Sequence, residues 1–258
     1  MPALKPVRPA TLFLIVLGAT AIACQAQSAL SVDQIVGRMQ QARAEDRANK
    51  AGYTVTREYR LAPEGAPQPT SEVVAEISFF PPAEKQYAIV KSQGSARGAS
   101  IVRRILDHEA TMAAHWQLHD VSPANYDFAL LGRENLYGRD CYVLQLSPKR
   151  DAAELVRGRA WVDRDNFQIR RIEGETAKSP SLWVKKLRLT IDYGVVNGVW
   201  LETSTQAVAD VRLAGTHVLT SRELDVRRAT LDARAAKPHQ SRQSTGSIAA
   251  DTAAWVAR

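Results

Sequence analysis

Trp183-Val-Lys-Lys-Leu-Arg-Leu-Thr-Ile-Asp-Tyr193 decides the fold. In this run Trp183, Lys185, Leu187, Leu189, Ile191 and Tyr193 alternate with Val184, Lys186, Arg188, Thr190 and Asp192. Successive side chains of a strand point to opposite faces, so one face of this segment is largely apolar and the other largely charged. Asn197-Gly198 follows, a pair that accepts positive φ and closes a two-residue hairpin of type I′. The chain then returns from Trp200 to Leu213, with Leu201, Thr203, Thr205, Ala207, Ala209, Val211 and Leu213 on its better face. These side chains are smaller than one sheet normally sets against another, which suits a concave face with room above it.

Outward from the hairpin the same period continues. Tyr126, Phe128 and Leu130 start a strand; a turn at Tyr137-Gly138 leads to Tyr142, Leu144 and Leu146, which Pro148 ends. Asp151 to Val156 reads as one helical turn. Ala160 to Val162 and Phe167 to Ile172 form a hairpin around Asp163-Arg-Asp-Asn166, where Asp163 and Asp165 act as turn formers rather than as a catalytic pair. Thr216 to Val226 is the last strand. Upstream, Tyr53 to Leu61, Val73 to Phe79 and the residues around Tyr87 and Ile89 add three more, with Pro81-Pro82 stopping the second. The total is about ten strands, mostly joined by short loops.

Two stretches change period from two to nearly four. Ser31-Val-Asp-Gln34 is a capping box that opens a helix over Val32 to Asn49, with Val32, Ile35, Val36, Met39 and Ala42 on one stripe. Ile101, Val102, Ile105, Leu106, Met112 and Trp116 mark a second helix over about Ala99 to Leu118. It interrupts the strands and must pack on the apolar face of the sheet.

The ends read differently. Lys5 and Arg8, the run Leu12-Phe-Leu-Ile-Val-Leu17 and the small residues after it have the layout of an export signal over residues 1–29, cleaved after Ala23, Ala26 or Ser28. Ala21-Ile-Ala-Cys24 also resembles a lipoprotein box, which makes Cys24 a lipidation candidate and membrane anchoring the consequence. Residues 30–230 form the folded domain, and residues 231–258, poor in apolar side chains, form a mobile tail. Cys141 is then the single cysteine within the domain, so no internal disulfide exists there.

With 258 residues, 45% hydrophobic and 24% charged, the chain can bury one substantial core. The formal net charge of +7, less the two charges of Lys5 and Arg8, leaves +5, a mild excess suited to anionic membrane surfaces or acidic partners. No basic run interleaved with aromatics is present, which disfavours nucleic acid. His108-Glu109, His115 and His119 are the most enzyme-like group, but Met112 stands where a second zinc-binding histidine would follow His108-Glu109, and no metal or other cofactor is expected. No nucleophile elbow and no phosphate loop occurs, so no enzymatic activity is expected. Trp161, Phe167, Trp183 and Trp200 fit either a packed core or the wall of a lipid-sized cavity.

Tyr126-Asp-Phe-Ala-Leu-Leu-Gly132, Gly138-Arg-Asp-Cys-Tyr-Val-Leu144, Gly158-Arg-Ala-Trp-Val-Asp163 and Arg171-Ile-Glu-Gly174, spaced as they are, resemble the outer-membrane lipoprotein-sorting superfamily over about Val32 to Arg227. That superfamily includes periplasmic lipoprotein carriers, their membrane-anchored receptors and an envelope-stress sensor. The resemblance implies an α+β fold, a strongly curved antiparallel half-barrel with amphipathic helices over its concave face and an apolar cavity for acyl chains. On the apolar faces read above, the candidates for the cavity wall are Phe128, Leu130, Trp161, Phe167, Trp183, Leu187, Leu189, Ile191, Trp200 and Leu201. The lid candidates are Val32, Ile35, Val36, Met39, Ile101, Ile105 and Met112. The function implied is that of a monomeric exported carrier that binds the acyl chains of lipids or lipoproteins and moves them across the periplasm toward the outer membrane. The alternative is an envelope sensor that uses the same fold to bind a membrane protein partner.

Overall fold

The computed structural model describes residues 30–228; the stretch read as an export signal, the lipidation candidate Cys24 and the stretch read as a tail lie outside the described residues. Helix α1 spans Val32–Asn49 and opens with the capping box read from the sequence: Ser31 Oγ accepts from Gln34 N, and Gln34 Oε1 accepts from Ser31 N. Strands β1 (Tyr53–Pro63), β2 (Ser71–Phe80) and β3 (Glu84–Gly94) follow, then helix α2 (Ala96–Ala113) and a single 3₁₀ turn at Trp116–Leu118. The remaining strands are β4 (Tyr126–Leu136), β5 (Arg139–Pro148), β6 (Val156–Asp163), β7 (Ile169–Thr176), β8 (Val184–Val196), β9 (Val199–Val211) and β10 (Gly215–Arg228).

All ten strands join one open antiparallel sheet in the order β3-β2-β1-β10-β9-β8-β7-β6-β5-β4. Chain order is kept except where β10 pairs with β1, so α2 bridges the two outer edges in sequence. The positive φ values of Tyr137, Gly138, Asn197 and Gly198 give the β4–β5 and β8–β9 hairpins the two-residue turns expected of them.

The pairing register shows how the sheet bends. Directly paired residues share a face, and one row crosses every strand: Leu130, Leu144, Ala160, Ile172, Ile191, Thr205, Ser221, Tyr59, Val73 and Ser92. Three bulges, with the extra residue Leu224 in β10 opposite Thr56/Arg57, Val90 in β3 opposite Val74/Ala75 and Thr203 in β9 opposite Asp192/Tyr193, all fall beside that row. A bulge bends its strand and increases local twist, so three of them near one line curl the sheet across its width. The next row on the same face contains Gly158 paired with Gly174. Their backbones approach so closely that a Cβ on Gly158 would stand 2.0 Å from the Glu173 carbonyl oxygen, and one on Gly174 2.3 Å from that of Arg157. Only glycine permits this tight bend in the interior of two paired strands.

Both helices pack on the face that carries these rows. Val102 and Leu106 of α2 join Tyr53, Val55, Tyr59, Val73, Ala75 and Ile77 in one core cluster, with Val199 and Leu201 of β9 and Val226 of β10. Helix α1 buries Ile35, Val36 and Met39. The opposite, outer face carries ion pairs such as Arg171–Asp192 and Arg222–Glu58, plus a small cluster of Cys141, Val143 and Trp161.

Three details differ from the sequence expectation. Helix α2 starts at Ala96, three residues early, because Ser95 Oγ caps it by accepting from Gly98 N at 3.0 Å. No helical turn forms over Asp151 to Val156; Leu155, fully buried, leads straight into β6. At the start of β8 a register shift between Val184 and Lys186 makes Val184, not Trp183 or Lys185, the buried residue.

Candidate functional site

The helix-bearing face is the candidate ligand surface, and it divides into three zones. Helix α2 lies along β3 and β2, and α1 approaches β4. Between the two roofs Leu187, Leu189 and Ile191 of β8, Ala207 of β9 and Leu219 of β10 stay half-buried on the helix face. This strip is apolar because the alternation of β8 and β9 puts every hydrophobic residue of that register inward, and it is only half covered because the side chains of β9 there are small.

The sequence-derived wall candidates sort by face. Phe128, Leu130, Leu187, Leu189, Ile191 and Leu201 occupy helix-face positions. Phe167 lies on that side too, its ring stacked on Tyr142 at 6.3 Å and roofed by the Arg38 guanidinium of α1 at 5.1 Å. Trp183 is half-buried at the mouth of β8. Trp161 belongs to the outer face: its Nε1 donates to Glu134 at 2.8 Å, and Arg159 lies over its ring. Trp200 pairs with Val195 near the tip of the β8–β9 hairpin and stacks against Arg170, which pairs with Asp163. The period-two argument sends Trp161 away from the helices once the register is known.

A hollow of about 430 Å³ is lined chiefly by Glu173, Glu175, Arg188, Thr190, Gln206 and Val208, all at outer-face positions of β7, β8 and β9. It is an open hollow among mostly polar residues on the side away from the helices, unlike the apolar container read from the sequence. The apolar strip under the helices is therefore a surface that movement of the lids would deepen.

Of the lid candidates, Ile35, Val36, Met39 and Ile101 are buried, while Val32, Ile105 and Met112 are half-buried. Helix α1 is tied to the segment that follows α2. Asp120, which follows the 3₁₀ turn, is 5% exposed and receives Arg43 of α1, with Arg47 3.6 Å away. Gln40 Nε2 donates to Val121 O at 2.7 Å, and the Arg47 guanidinium sits 4.0 Å above the Trp116 ring. Asp120→Ala leaves these arginines facing a buried space without their carboxylate, and it is expected to lower stability by about 2–3 kcal/mol and raise amide exchange in α1 selectively. Hydrogen exchange read by mass spectrometry checks this.

A polar seam crosses the apolar face and was not foreseen. Arg57 of β1 is 5% exposed; its Nη1 donates to Glu202 Oε1 at 2.9 Å and its Nη2 to Glu202 O at 2.6 Å. Thr205 Oγ1 donates to the same carboxylate oxygen at 2.6 Å. Burial, the largest cause, opposes the Arg57 charge, but Glu202, Tyr59 and Glu109 together outweigh it, so the guanidinium is held above its ordinary range. Tyr59 and Tyr193 are both pushed well up by burial, with Glu109 the next cause for the first and Glu202 for the second. Glu109, on α2, is also raised: burial comes first, Glu202 adds to it, and Lys85 and Arg57 oppose it. The available signal was Arg57 itself, a charge in the inward register between Val55 and Tyr59.

The histidines do not converge on a metal. Among the described residues no group of three His, Cys, Asp or Glu side chains is placed to hold an ion. His119 has its pKa lowered, first by burial and against the pull of Asp120. Cys141 is fully buried, and burial, then Asp163, pushes its thiol up to about 11. Alkylation at pH 8 is thus expected to be slow in the native protein and fast in urea, as intact mass would show. A thiol raised in the folded state keeps its contribution below the ordinary thiol range and loses it as the pH climbs toward 11, so stability falls in that alkaline window.

The fold and this face define a class: an open ten-stranded antiparallel sheet with two linked helices across one side. A family model described as "Uncharacterized protein" matches residues 99–229, from α2 to the end of β10, and the chain belongs to that family. Among solved structures, similarity is found to a DUF1329 family protein from Desulfovibrio piger, with 14% identity, 75% of this chain and 92% of that one covered, and a TM-score of 0.43. A putative outer membrane lipoprotein-sorting protein domain from Vibrio parahaemolyticus gives 14% identity, coverages of 76% and 92%, and a TM-score of 0.43. A LolA superfamily protein from Nitrosomonas europaea gives 15% identity, coverages of 81% and 99%, and a TM-score of 0.37. No curated protein matches the sequence.

Proposed function

We propose that the chain is an exported, non-enzymatic carrier that takes the acyl chain of a lipid or lipoprotein on the helix-bearing face of its sheet and moves it through the periplasm toward the outer membrane. The observation that carries this reading is the half-buried apolar strip of Leu187, Leu189, Ile191, Ala207 and Leu219 between two helices, the first of them tied at Asp120 to the segment that follows the second. An acyl chain in water gains about 0.8 kcal/mol per CH₂ on burial, so a strip that rearranging lids deepen is a sufficient driving force for loading. Each lid is a single helix seated by a handful of buried apolar side chains, and such elements can leave the sheet and return, which makes the exchange reversible. The sequence resemblance to lipoprotein-sorting proteins supports the same reading.

The mature chain, delipidated and then mixed with an envelope lipid extract, is expected to retain acylated molecules in native mass spectrometry. Repeated recovery of the bare protein alone would overturn the proposal. The second reading, a binding module for a membrane protein partner, is favoured by the two unpaired sheet edges, β3 and β4, where Val90 and Leu131 are exposed. A partner recovered by pull-down and undisturbed by added lipid would select it.

A further inference from the structure

We infer that Arg57 and Tyr59 form a head-group site for an acyl carboxylate, covered in this structure by α2, the helix that carries Glu109. The inference rests on the acyl-binding reading and deepens it. Both residues are on the helix face of β1, more than nine-tenths buried and close to each other, and among the described residues neither Arg57 Nε nor the Tyr59 hydroxyl has a hydrogen-bond partner of good geometry. Buried donors without acceptors are costly, and they remain where a ligand or a moving element supplies the missing oxygen. The two Nη groups are already engaged by Glu202, so the donors left over are on the Nε and phenol side.

Charge balance selects the ligand class. Arg57 is neutralised by Glu202, and Lys85 lies 4.0 Å from Glu109. When α2 moves off the sheet it takes the Glu109 carboxylate with it, and Lys85 stays on β3 without that partner. A carboxylate entering with an acyl chain restores the balance and accepts from Tyr59 and Arg57. A neutral hydroxyl head does not.

The placement suits a tail. Tyr59, Ser221, Thr205 and Ile191 are consecutive members of one cross-strand row, so the phenol ring and the apolar strip on β8 are three strand spacings apart, about 14 Å. An acyl chain whose head meets Tyr59 runs over Thr205 and Ala207 to Leu189 and Ile191. Thr205 and Ala207 are the small residues of β9, which leave the path open.

The test compares dodecanoate with dodecanol, chains of equal length, by isothermal titration of the mature protein at pH 8. Wild type is expected to bind dodecanoate about tenfold more tightly, the value of one hydrogen bond to a charged group. Tyr59→Phe, which keeps the ring and removes only the hydroxyl, is expected to narrow that preference to about threefold or less. Glu109→Gln, which removes the competing carboxylate, is expected to tighten dodecanoate more than dodecanol. Equal affinity of the wild type for both chains, or a preference untouched by Tyr59→Phe, overturns the head-group site while leaving acyl binding in place. Failure of both chains to bind overturns the acyl-binding reading and this inference with it.

Discussion

Gly158→Val is expected to prevent the native fold at 25 °C. Position 158 faces Gly174 across β6 and β7, and its added Cβ would meet the Glu173 carbonyl oxygen at 2.0 Å and the Gly174 Cα at 2.6 Å. Overpacking an ordinary core costs about 1–3 kcal/mol because neighbouring side chains adjust. Here the obstacle is backbone already fixed by the sheet ladder, so relief requires separating two central strands. The cost should exceed about 4 kcal/mol, a large part of the roughly 5–15 kcal/mol that holds a domain together. Gly37→Ala is the control: its Cβ has nothing within 4 Å on an exposed helical turn, and alanine there should stabilise by about 0.5–1 kcal/mol. Urea denaturation followed by circular dichroism reads both. An unchanged midpoint for Gly158→Val would mean that the strands can separate without loss and that the bend is not set at this pair.

Arg57→Ala is expected to cost about 3–5 kcal/mol, since it strands a partly buried carboxylate that Arg57 contacts through both Nη groups. Its loss leaves Glu202 with Thr205 as its side-chain donor. Removing both charges should cost much less than the sum, so Arg57→Met combined with Glu202→Leu is expected to recover a large part of the loss. A double-mutant cycle in urea measures this coupling. Additive losses would show that the two side chains act separately and that the seam is not a unit. The cycle also separates stability from ligand preference, because Tyr59→Phe leaves the Arg57–Glu202 pair intact.

Much of this molecule was legible in its residues. Helix α1 starts and ends where Ser31, Gln34 and the apolar stripe place it. The Asn197-Gly198 hairpin forms as expected, because the conformational demands of a two-residue turn are satisfied by those two residues alone. Asp163, 1% exposed, holds its hairpin through bonds from Asp165 N, Asn166 N and Arg170, a local function that its position in a turn already suggested. The start of α2 was misplaced because three residues ahead of the apolar stripe the decisive group is one serine hydroxyl, which carries no periodicity.

The candidate site was legible only in part. Alternation identified Leu187, Leu189, Ile191 and Leu201 as members of an inward face, yet the large rings also offered Trp161, which faces outward. Size and hydrophobicity marked these rings as buried, and a ring can be buried on either side of a sheet when a hairpin or a guanidinium covers it. Tyr137 at the tip of the β4–β5 hairpin, with the Arg171 guanidinium 5.2 Å from its ring, lies on that outer side. The seam of Arg57, Glu202 and Tyr59 escaped notice because its members are 145 residues apart at the widest and meet through bulges that no local pattern encodes.

By itself, the sequence determined which segments are strands, which are helices, where the turns fall and which side chains share a face within one segment. All of these depend on interactions between residues a few positions apart. Only the tertiary structure decided which face the helices cover, where the sheet bends and which charges meet beneath α2. Those depend on the register between strands distant in the chain, and a single bulge, shifting that register by one residue, changes which side chains look at one another.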